Sequence, residues 1–280
     1  MVATIRLLSG LVGSLSLLSQ ASAEPLIQDQ VRIMALGDSI TGNPGCWRAL
    51  LSRKLNATNI DLPLPYSQIR FVGTQPEPPQ PRPYCGYGAA YDWPHEGHGG
   101  YLATYIAQAT VPIPDALPNT PLTQPLLQSW LRNPRVSRPD QPVDIILMHL
   151  GTNDIWQNRT KEDIVAAYSV LLNQMRAVNP RVRLLVAQIL PMEPANCPGC
   201  AAKVQQLNQY ISVWAQVVNS QVNPNVRPVR LVDQYTGFNA TRYTTDGVHP
   251  NARGDEAIAQ RWLGSVLEAV EAVVDERLLP

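Results

Sequence analysis

Short apolar runs that alternate with amphipathic segments constrain the fold of this chain more than any other feature. The densest run, Val143–Leu150 (VDIILMHL), is short and rich in β-branched residues, so it predicts a buried strand. Apolar residues in Lys161–Val178 are spaced by three and four positions, which predicts a helix with Thr160 as its N-cap. Such alternation predicts βαβ units with right-handed crossovers. The expected fold is therefore α/β, a doubly wound parallel sheet in a three-layer α/β/α arrangement.

Two proline-rich stretches interrupt this pattern. Pro76–Pro83 (PEPPQPRP) is incompatible with a helix or an interior strand. In Val111–Pro142 only Leu126–Leu131 is predicted to be helical, and the rest is either surface loop or a rim around a binding site. Neither stretch divides the chain, so residues 24–280 are expected to form a single domain. The other predicted strands are Val31–Leu36, Ile69–Gly73, Arg183–Ile189 and Pro228–Val232, and the other predicted helices are Gly45–Leu55, Ala201–Val218 and Asn251–Val274.

The N-terminus has the features of a secretory signal peptide. Arg6 precedes the mostly apolar run Leu7–Leu18, and Ala21–Ala23 fits a small-x-small cleavage site. The run is too short to span a bilayer comfortably, which disfavours a membrane anchor. We therefore expect residues 1–23 to be removed and the protein to be secreted. Lys+Arg and Asp+Glu both number 22, so no basic excess indicates a nucleic-acid or membrane partner.

Four cysteines fit an oxidising extracellular compartment. Cys197 and Cys200 flank a Pro-Gly turn, which favours pairing them together and leaves Cys46 to pair with Cys85. The CxxC motif is also compatible with a redox centre, whereas zinc would need two further ligands. No metal and no cofactor are expected. Three sequons predict glycosylation candidates at Asn56, Asn158 and Asn239.

A serine follows the first predicted strand in the sequence GDSITG, just ahead of the first helix. Ligands of open parallel sheets bind beyond the carboxyl ends of the strands, so Ser39 is predicted to face a crevice. Its backbone N–H would lie near a helix N-terminus, where a developing anion is stabilised. Ser39 is thus a candidate nucleophile. The alternative is that Ser39 or Asp38 only caps the helix.

The segment DGVHP, ahead of the last helix, supplies a candidate base for that serine. The Asp-x-x-His spacing allows one turn to bring the carboxylate of Asp246 against the imidazole of His249. Asp246 would then fix the tautomer, and the other ring nitrogen would face Ser39. The alternative is an aspartate at a helix N-terminus beside a surface histidine.

Two further segments supply candidate oxyanion donors. Asn153 follows the densest strand in GTND, and Gly100 lies in EGHGGY after the second strand. The alternatives are a turn asparagine and a flexible loop. Asp154 is predicted to brace the Ser39 loop, and the spacing of His95 and His98 does not indicate a metal site. The aromatic residues that flank these segments either stack on sugar rings or pack in the core: Trp47, Trp93, Tyr101 and Trp156.

The order of these blocks resembles the SGNH (GDSL-type) hydrolase superfamily, whose name lists one Ser, Gly, Asn and His. The resemblance covers residues 31 to 270 and implies a flavodoxin-like sheet. It implies Ser39 as nucleophile, His249 as base and Asp246 as its partner. It also implies an oxyanion hole formed by the Ser39 and Gly100 N–H groups and by Asn153. Ile40 stands where the GDSL name has Leu, an apolar exchange that leaves the chemistry unchanged.

More closely, VRIMALGDSITG, EGHGG, MHLGTND and DGVHP together resemble carbohydrate esterase family 3. The cysteines and Pro44–Trp47 are similar to fungal secreted members. This resemblance implies a secreted serine carboxylesterase that removes acetyl groups from a plant polysaccharide, acetylated xylan, through an acyl-enzyme. The alternatives are a lipase or lysophospholipase of the same fold and a non-catalytic carbohydrate-binding protein.

Overall fold

A parallel β-sheet forms the centre of the computed structural model, which describes residues 30–42, 44–57, 69–75, 85, 94–112, 123–138 and 140–278. The predicted signal peptide and Pro76–Pro83 lie outside these ranges. The strands of this sheet are β1 (Val31–Gly37), β2 (Ile69–Val72), β3 (Glu96–Gly97), β6 (Ile145–His149), β7 (Arg183–Ala187) and β8 (Arg230–Val232), and a separate hairpin contains β4 (Thr110–Pro112) and β5 (Thr123–Pro125).

The strand order in the sheet is β2-β1-β6-β7-β8, and every neighbouring pair is parallel. The short strand β3 pairs with the carboxyl end of β1, on the side where β2 pairs with its beginning. Strands β2 and β3 therefore lie on one side of β1, and the strands from β6 onward lie on its other side. This reversal confirms the doubly wound, flavodoxin-like order, and it places a crevice between the ends of β1 and β6.

Helices cover both faces of the sheet, as right-handed crossovers require. The helices are α1 (Ser39–Gly42), α2 (Cys46–Ala57), α3 (Ala103–Gln108), α4 (Leu126–Leu131), α5 (Thr152–Trp156), α6 (Lys161–Val178), α7 (Cys200–Ser220), α8 (Ala240–Tyr243) and α9 (Ala252–Leu278). Helices α2 and α9 pack together on one face, while α3, α4, α6 and α7 form the layer on the other. The three-layer arrangement predicted from the sequence is confirmed. Within the described residues, none of the helices combines the length and apolarity that a membrane span requires.

The contact between α2 and α9 also supports the segment that carries Ser39. The rings of Trp47 and Trp262 stack with their centroids 6.1 Å apart, and both side chains are buried. The Trp47 indole N–H donates to the Ile40 carbonyl over 3.0 Å, and the Trp47 backbone N–H donates to Asp255 over 3.0 Å. Packing between the two helices therefore fixes the turn directly after Ser39.

The described part of the proline-rich stretch is more ordered than the surface-loop interpretation implies. Strands β4 and β5 pair in an antiparallel hairpin, and α4 follows with the predicted bounds. Helix α4 packs against α3 and α6, with Leu127 and Trp130 buried. Because the hairpin continues from α3 and leads into α4, this region extends the helical layer on that face.

Two disulfides join the four cysteines in the predicted pairing, Cys46 with Cys85 and Cys197 with Cys200. The first joins the beginning of α2 to a residue that is distant in sequence. The second closes the turn that opens α7. The sequon asparagines Asn56, Asn158 and Asn239 are exposed, and their glycosylation stays a prediction.

Candidate active site

Ser39, His249 and Asp246 form a continuous hydrogen-bonded chain at the carboxyl edge of the sheet. The Ser39 Oγ lies 2.9 Å from His249 Nε2, and His249 Nδ1 lies 2.7 Å from Asp246 Oδ2. Ser39 is half-buried at the start of α1, directly after β1. The structure thus brings together three residues that the sequence analysis assigned to one site, although Ser39 and His249 are 210 positions apart in the chain.

The Asp246–His249 turn is fixed mainly by the aspartate itself. Asp246 Oδ1 accepts the backbone N–H groups of Val248 and His249 over 3.0 and 2.7 Å. Burial would raise the pKa of Asp246, but the hydrogen bonds from the His249 ring and from these N–H groups hold it below its usual range. Asp246 is therefore ionised at neutral pH and aligns the imidazole from one side.

Gly247 makes this turn possible. Its φ of +86° is in the left-handed region, and an added Cβ would lie 2.4 Å from the Glu193 carbonyl oxygen. The Glu193 N–H in turn donates to the Gly247 carbonyl over 2.8 Å. The segment after β7 therefore packs tightly against the turn that carries His249.

On the other side of Ser39, a tight turn places Gly99 and Gly100 at the end of β3. The His98 N–H donates to the Gly37 carbonyl over 2.9 Å, and the Tyr101 N–H donates to the His98 carbonyl over 3.2 Å. A Cβ on Gly99 would lie 3.9 Å from the Ser39 Cβ, so this turn lies against the serine side chain. Gly100 has a φ of +79° and open space around it. Its exposed backbone is accessible to a bound group.

Asn153 lies at the beginning of α5, after β6. Its Nδ2 donates to the Tyr101 carbonyl over 3.0 Å, which ties the Asn153 side chain to the residue after Gly100. A side-chain amide carries two N–H donors, so one remains for a ligand. The two predicted oxyanion elements are therefore joined to each other.

The predicted role of Asp154 needs correction. Its carboxylate does not brace the Ser39 loop but accepts from the Ala103 N–H over 2.8 Å and from the Thr104 N–H and hydroxyl over 3.1 and 2.7 Å. Asp154 is fully buried beneath these contacts. It fixes the start of α3, because an aspartate there satisfies N–H groups that lack helical partners. Asp154 therefore acts on the site indirectly, by holding the start of α3, which follows the Gly100 turn in the chain.

The buried carboxyl next to the serine belongs to Asp38. Burial raises its pKa to about 6, although the Ile40 N–H and the nearby His249 favour the charged form. The Ile40 N–H donates to Asp38 Oδ1 over 2.9 Å. Asp38 therefore holds the turn that carries Ser39, as the capping alternative in the sequence analysis suggested for it.

A network around Glu96 and His98 was not found from the sequence. Glu96 is fully buried, and its Oε1 lies 2.6 Å from His98 Nε2. The Thr74 N–H and hydroxyl also donate to the Glu96 carboxylate over 2.7 and 2.6 Å. The His98 ring stacks against both Tyr101 and Trp130, with centroids 4.8 and 4.3 Å away. This network fixes His98, the residue directly before the Gly99–Gly100 turn. The acid-x-His spacing of EGH was the signal in the sequence from which the pair could have been found.

The aromatic residues near the site mostly pack inside the protein. Trp47 is buried against Trp262, while Tyr101 and Trp156 are partly buried against the core. Trp93 lies outside the described residues. Among the residues that the structure describes, no group of three or more His, Cys, Asp or Glu side chains is arranged to hold a metal ion.

Comparison with known proteins identifies the family. The GDSL-like Lipase/Acylhydrolase family matches residues 84–257. The chain belongs to this family. The matched residues include Gly100, Asn153 and His249. Ser39 lies before the matched region, and its hydrogen bond to His249 shows that it belongs to the same site. Membership of the GDSL family confirms the resemblance to SGNH hydrolases.

Solved structures of carbohydrate esterases are similar over most of the chain. A carbohydrate esterase family 3 protein from Talaromyces cellulolyticus is 29% identical, with a TM-score of 0.67 over 87% of this chain and 99% of that one. An acetyl esterase variant with an acetate ion is also 29% identical, with a TM-score of 0.68 over 87% of this chain and all of that one. A family 3 carbohydrate esterase from Clostridium thermocellum shares the fold at 23% identity, with a TM-score of 0.62 over 88% of this chain and 99% of that one.

One curated relative is much longer than this chain. A multidomain esterase from Ruminococcus flavefaciens is 25% identical over 258 residues, which are 91% of this chain. This chain spans only 31% of that protein. The similarity therefore concerns one portion of the relative.

Proposed function

We propose that this GDSL-family protein is a secreted serine carboxylesterase that removes acetyl groups from a plant cell-wall polysaccharide, with acetylated xylan as the first candidate. The observation that carries the proposal is the hydrogen-bonded chain from Ser39 through His249 to Asp246, at 2.9 and 2.7 Å. A nucleophile, a base and an orienting carboxylate in this order are the requirements for acyl transfer through an acyl-enzyme.

In the first step, the Ser39 Oγ attacks the ester carbonyl carbon and His249 Nε2 accepts the serine proton. The carbonyl oxygen becomes an oxyanion, and the imidazolium that forms is stabilised by the ionised Asp246. Collapse of the tetrahedral intermediate breaks the bond to the sugar oxygen, which leaves with the proton from His249. The acyl group is then bound to Ser39 as an ester.

In the second step, water attacks the acyl-enzyme while His249 accepts one of its protons. The second tetrahedral intermediate collapses, acetate leaves, and the proton returns to the Ser39 Oγ. In both steps the oxyanion is held by the Ser39 and Gly100 N–H groups and by the free N–H of Asn153. Each such donor contributes most when the oxyanion has formed, which lowers the barrier rather than tightening substrate binding.

The acetyl and carbohydrate parts of the proposal are supported by the similar structures, one an acetyl esterase variant with an acetate ion and one a carbohydrate esterase of family 3. Secretion is supported by the signal-like N-terminus and by two disulfides, since disulfides persist in oxidising compartments.

Hydrolysis assays on wild type and Ser39→Ala test the proposal. The substrates are acetylated xylan and p-nitrophenyl esters of increasing chain length. We expect acetate release from the polymer, a preference for the acetyl ester, and loss of at least about 10³-fold in kcat for Ser39→Ala. Ser220→Ala, an exposed serine at the end of α7, is the matched control.

Three results would contradict parts of the proposal. Wild-type rates in Ser39→Ala would refute the nucleophile. A preference for long acyl chains would favour the lipase alternative while keeping the site. Binding of xylan without hydrolysis of any ester would favour a carbohydrate-binding protein.

A further inference from the structure

A groove of about 560 Å³ runs between α3 and α6. One wall is formed by α3 and the residue before it, the other by α6, and the upper end by the loop that follows α5. Its volume is in the range typical of ligand-binding clefts. The residues whose chemistry matters here are Tyr105 and Gln108 on α3, Gln157 and Arg159 in the loop, and Asp163 and Val170 on α6.

The upper end of this groove is formed by residues that are close in sequence to Gly100 and Asn153. Its lining begins at Leu102, directly after Tyr101, and includes Gln157 just beyond α5. Asp154 joins the α3 wall to the loop at the upper end, because its carboxylate accepts from the start of α3 while its carbonyl accepts the Arg159 N–H over 2.8 Å. The neighbour of Asp154 in the chain is Asn153. The groove therefore begins beside the two chain segments that carry Gly100 and Asn153.

The groove presents a flat aromatic surface to solvent. Tyr105 is 50% exposed, although its ring is large and apolar. The ring meets Tyr101 edge-on, with centroids 5.3 Å apart, which holds it in one orientation. Val170 on the opposite wall is 43% exposed. Both side chains offer apolar contact area that nothing in the described part of the chain covers.

Polar side chains surround this apolar surface. The side chains of Gln108, Gln157 and Arg159 make no hydrogen bond within the described residues. Asp163 accepts from the Thr160 hydroxyl at the N-terminus of α6. Amides, a guanidinium and a carboxylate offer both donors and acceptors, which a ring of hydroxyl groups requires. One positive and one negative side chain give the groove no strong preference for a charged ligand.

We propose that this groove binds a neutral sugar unit of the polysaccharide next to the esterified residue. The aromatic face of Tyr105 would contact the C–H face of the sugar, and the surrounding polar side chains would bind its hydroxyls. This inference rests on the proposed function, since it assigns the position of the carbohydrate chain. An acyl chain would instead offer Gln157 and Arg159 no group with which to form a hydrogen bond.

The test compares polymer and small ester in Tyr105→Ala and Gln157→Ala. The readout is the ratio of kcat/KM on acetylated xylan to kcat/KM on p-nitrophenyl acetate, because only the polymer reaches the groove. We expect this ratio to fall roughly three- to tenfold in each variant, which corresponds to one lost aromatic contact or hydrogen bond. Tyr210→Ala is the matched control, since Tyr210 is 38% exposed on α7 and lies outside the groove. Its ratio should equal that of wild type.

An unchanged ratio in both groove variants would overturn the inference, and so would an equal fall in Tyr210→Ala. If wild type hydrolyses small esters but releases no acetate from the polymer, the proposed function fails instead. Calorimetric titration of Ser39→Ala with unsubstituted xylohexaose then decides on the groove. Binding that Tyr105→Ala weakens at least threefold supports it, and absence of binding refutes it.

Discussion

At the scale of single residues, the amide of Asn153 shows how a catalytic group can be held before substrate arrives. One N–H is bound to the Tyr101 carbonyl, so the side chain cannot rotate freely. Preorganised donors lower the activation barrier more than flexible ones, because no reorganisation is needed as charge develops. The position of the remaining N–H is thus set by the same contact that joins α5 to the Gly100 turn.

Asn153→Asp tests this donor with little change of shape. The substitution replaces two N–H donors by an anion beside the developing oxyanion. We expect kcat to fall at least about 10²- to 10³-fold, the usual cost of losing one such donor. KM for p-nitrophenyl acetate should change much less. Steady-state kinetics provide the measurement, and a kcat within a factor of two of wild type would exclude Asn153 from the oxyanion hole.

Asp246→Asn tests the orientation of the imidazole. Asparagine keeps the backbone contacts that fix the turn but no longer stabilises the imidazolium. Because the Asp246 side chain is 51% exposed, water replaces part of its effect. We expect kcat to fall roughly 10²- to 10³-fold, below the about 10⁴-fold loss known for a buried partner. Thermal unfolding should stay near that of wild type, and a large loss of stability would mean that the activity loss is not specific.

Prediction from the sequence was most successful for residues whose chemistry requires a position at a strand end. Ser39 and His249 follow from this requirement, and the structure brings them within 2.9 Å. The predicted partner of Asp154 was wrong, because its carboxylate binds the start of α3 and not the Ser39 loop. An acidic side chain at a turn can reach several helix starts, and the sequence does not distinguish them. The Glu96–His98 pair was missed, since the sequence does not show that Glu96 is fully buried.

At the scale of secondary-structure elements, the Cys46–Cys85 disulfide joins the beginning of α2 to a residue that is distant in sequence. It closes a sequence separation of 39 residues, whereas Cys197–Cys200 closes only 3. Longer loops lose more chain entropy when they are closed, so the first bridge should stabilise the fold more.

The prediction is a ranking of two double variants. Replacing Cys46 and Cys85 by alanine should lower the free energy of unfolding by roughly 4 kcal/mol, and replacing Cys197 and Cys200 by roughly 2 kcal/mol. Urea unfolding followed by tryptophan fluorescence measures both. The reverse order would show that native packing at α7, and not chain entropy, dominates the effect of these bridges.

Elements with dense or strictly periodic patterns were predicted within a few residues. Helix α6 has the predicted bounds and cap, and β6 lies inside the predicted run. Strand β3 was missed, because two residues are too few to show a period. The hairpin of β4 and β5 was also missed. Its proline content argued against strands, but prolines are tolerated at the ends of edge strands.

At the scale of the whole molecule, a buried carboxyl joins the two helices on one face. Asp255 at the start of α9 accepts the Trp47 N–H of α2 over 3.0 Å. Burial raises its pKa to about 7, against the opposing effects of this hydrogen bond and of Arg48. The folded pKa exceeds the unfolded one, so its stabilising contribution is complete below pH 4. It is lost as the pH rises through about 7.

Asp255→Asn removes this titration and keeps an oxygen for the Trp47 N–H. Relative to wild type, the variant should gain stability between pH 4 and pH 8, by up to about 4 kcal/mol. Urea unfolding at pH 4, 6 and 8 gives the difference at each pH. Asp275→Asn, on an exposed position of the same helix, controls for removal of a charge. A constant difference across this range would show that Asp255 is ionised throughout.

The central claim is that Ser39 forms the acyl-enzyme, and covalent labelling tests it most directly. A fluorophosphonate ester should phosphonylate the Ser39 Oγ, which mass spectrometry of the digested protein locates. We predict one adduct, on the peptide that contains Ser39, and loss of esterase activity in proportion to its formation. The His249→Asn variant should react far more slowly. Full activity after complete labelling of Ser39, or inactivation with the adduct on another residue, would contradict the claim.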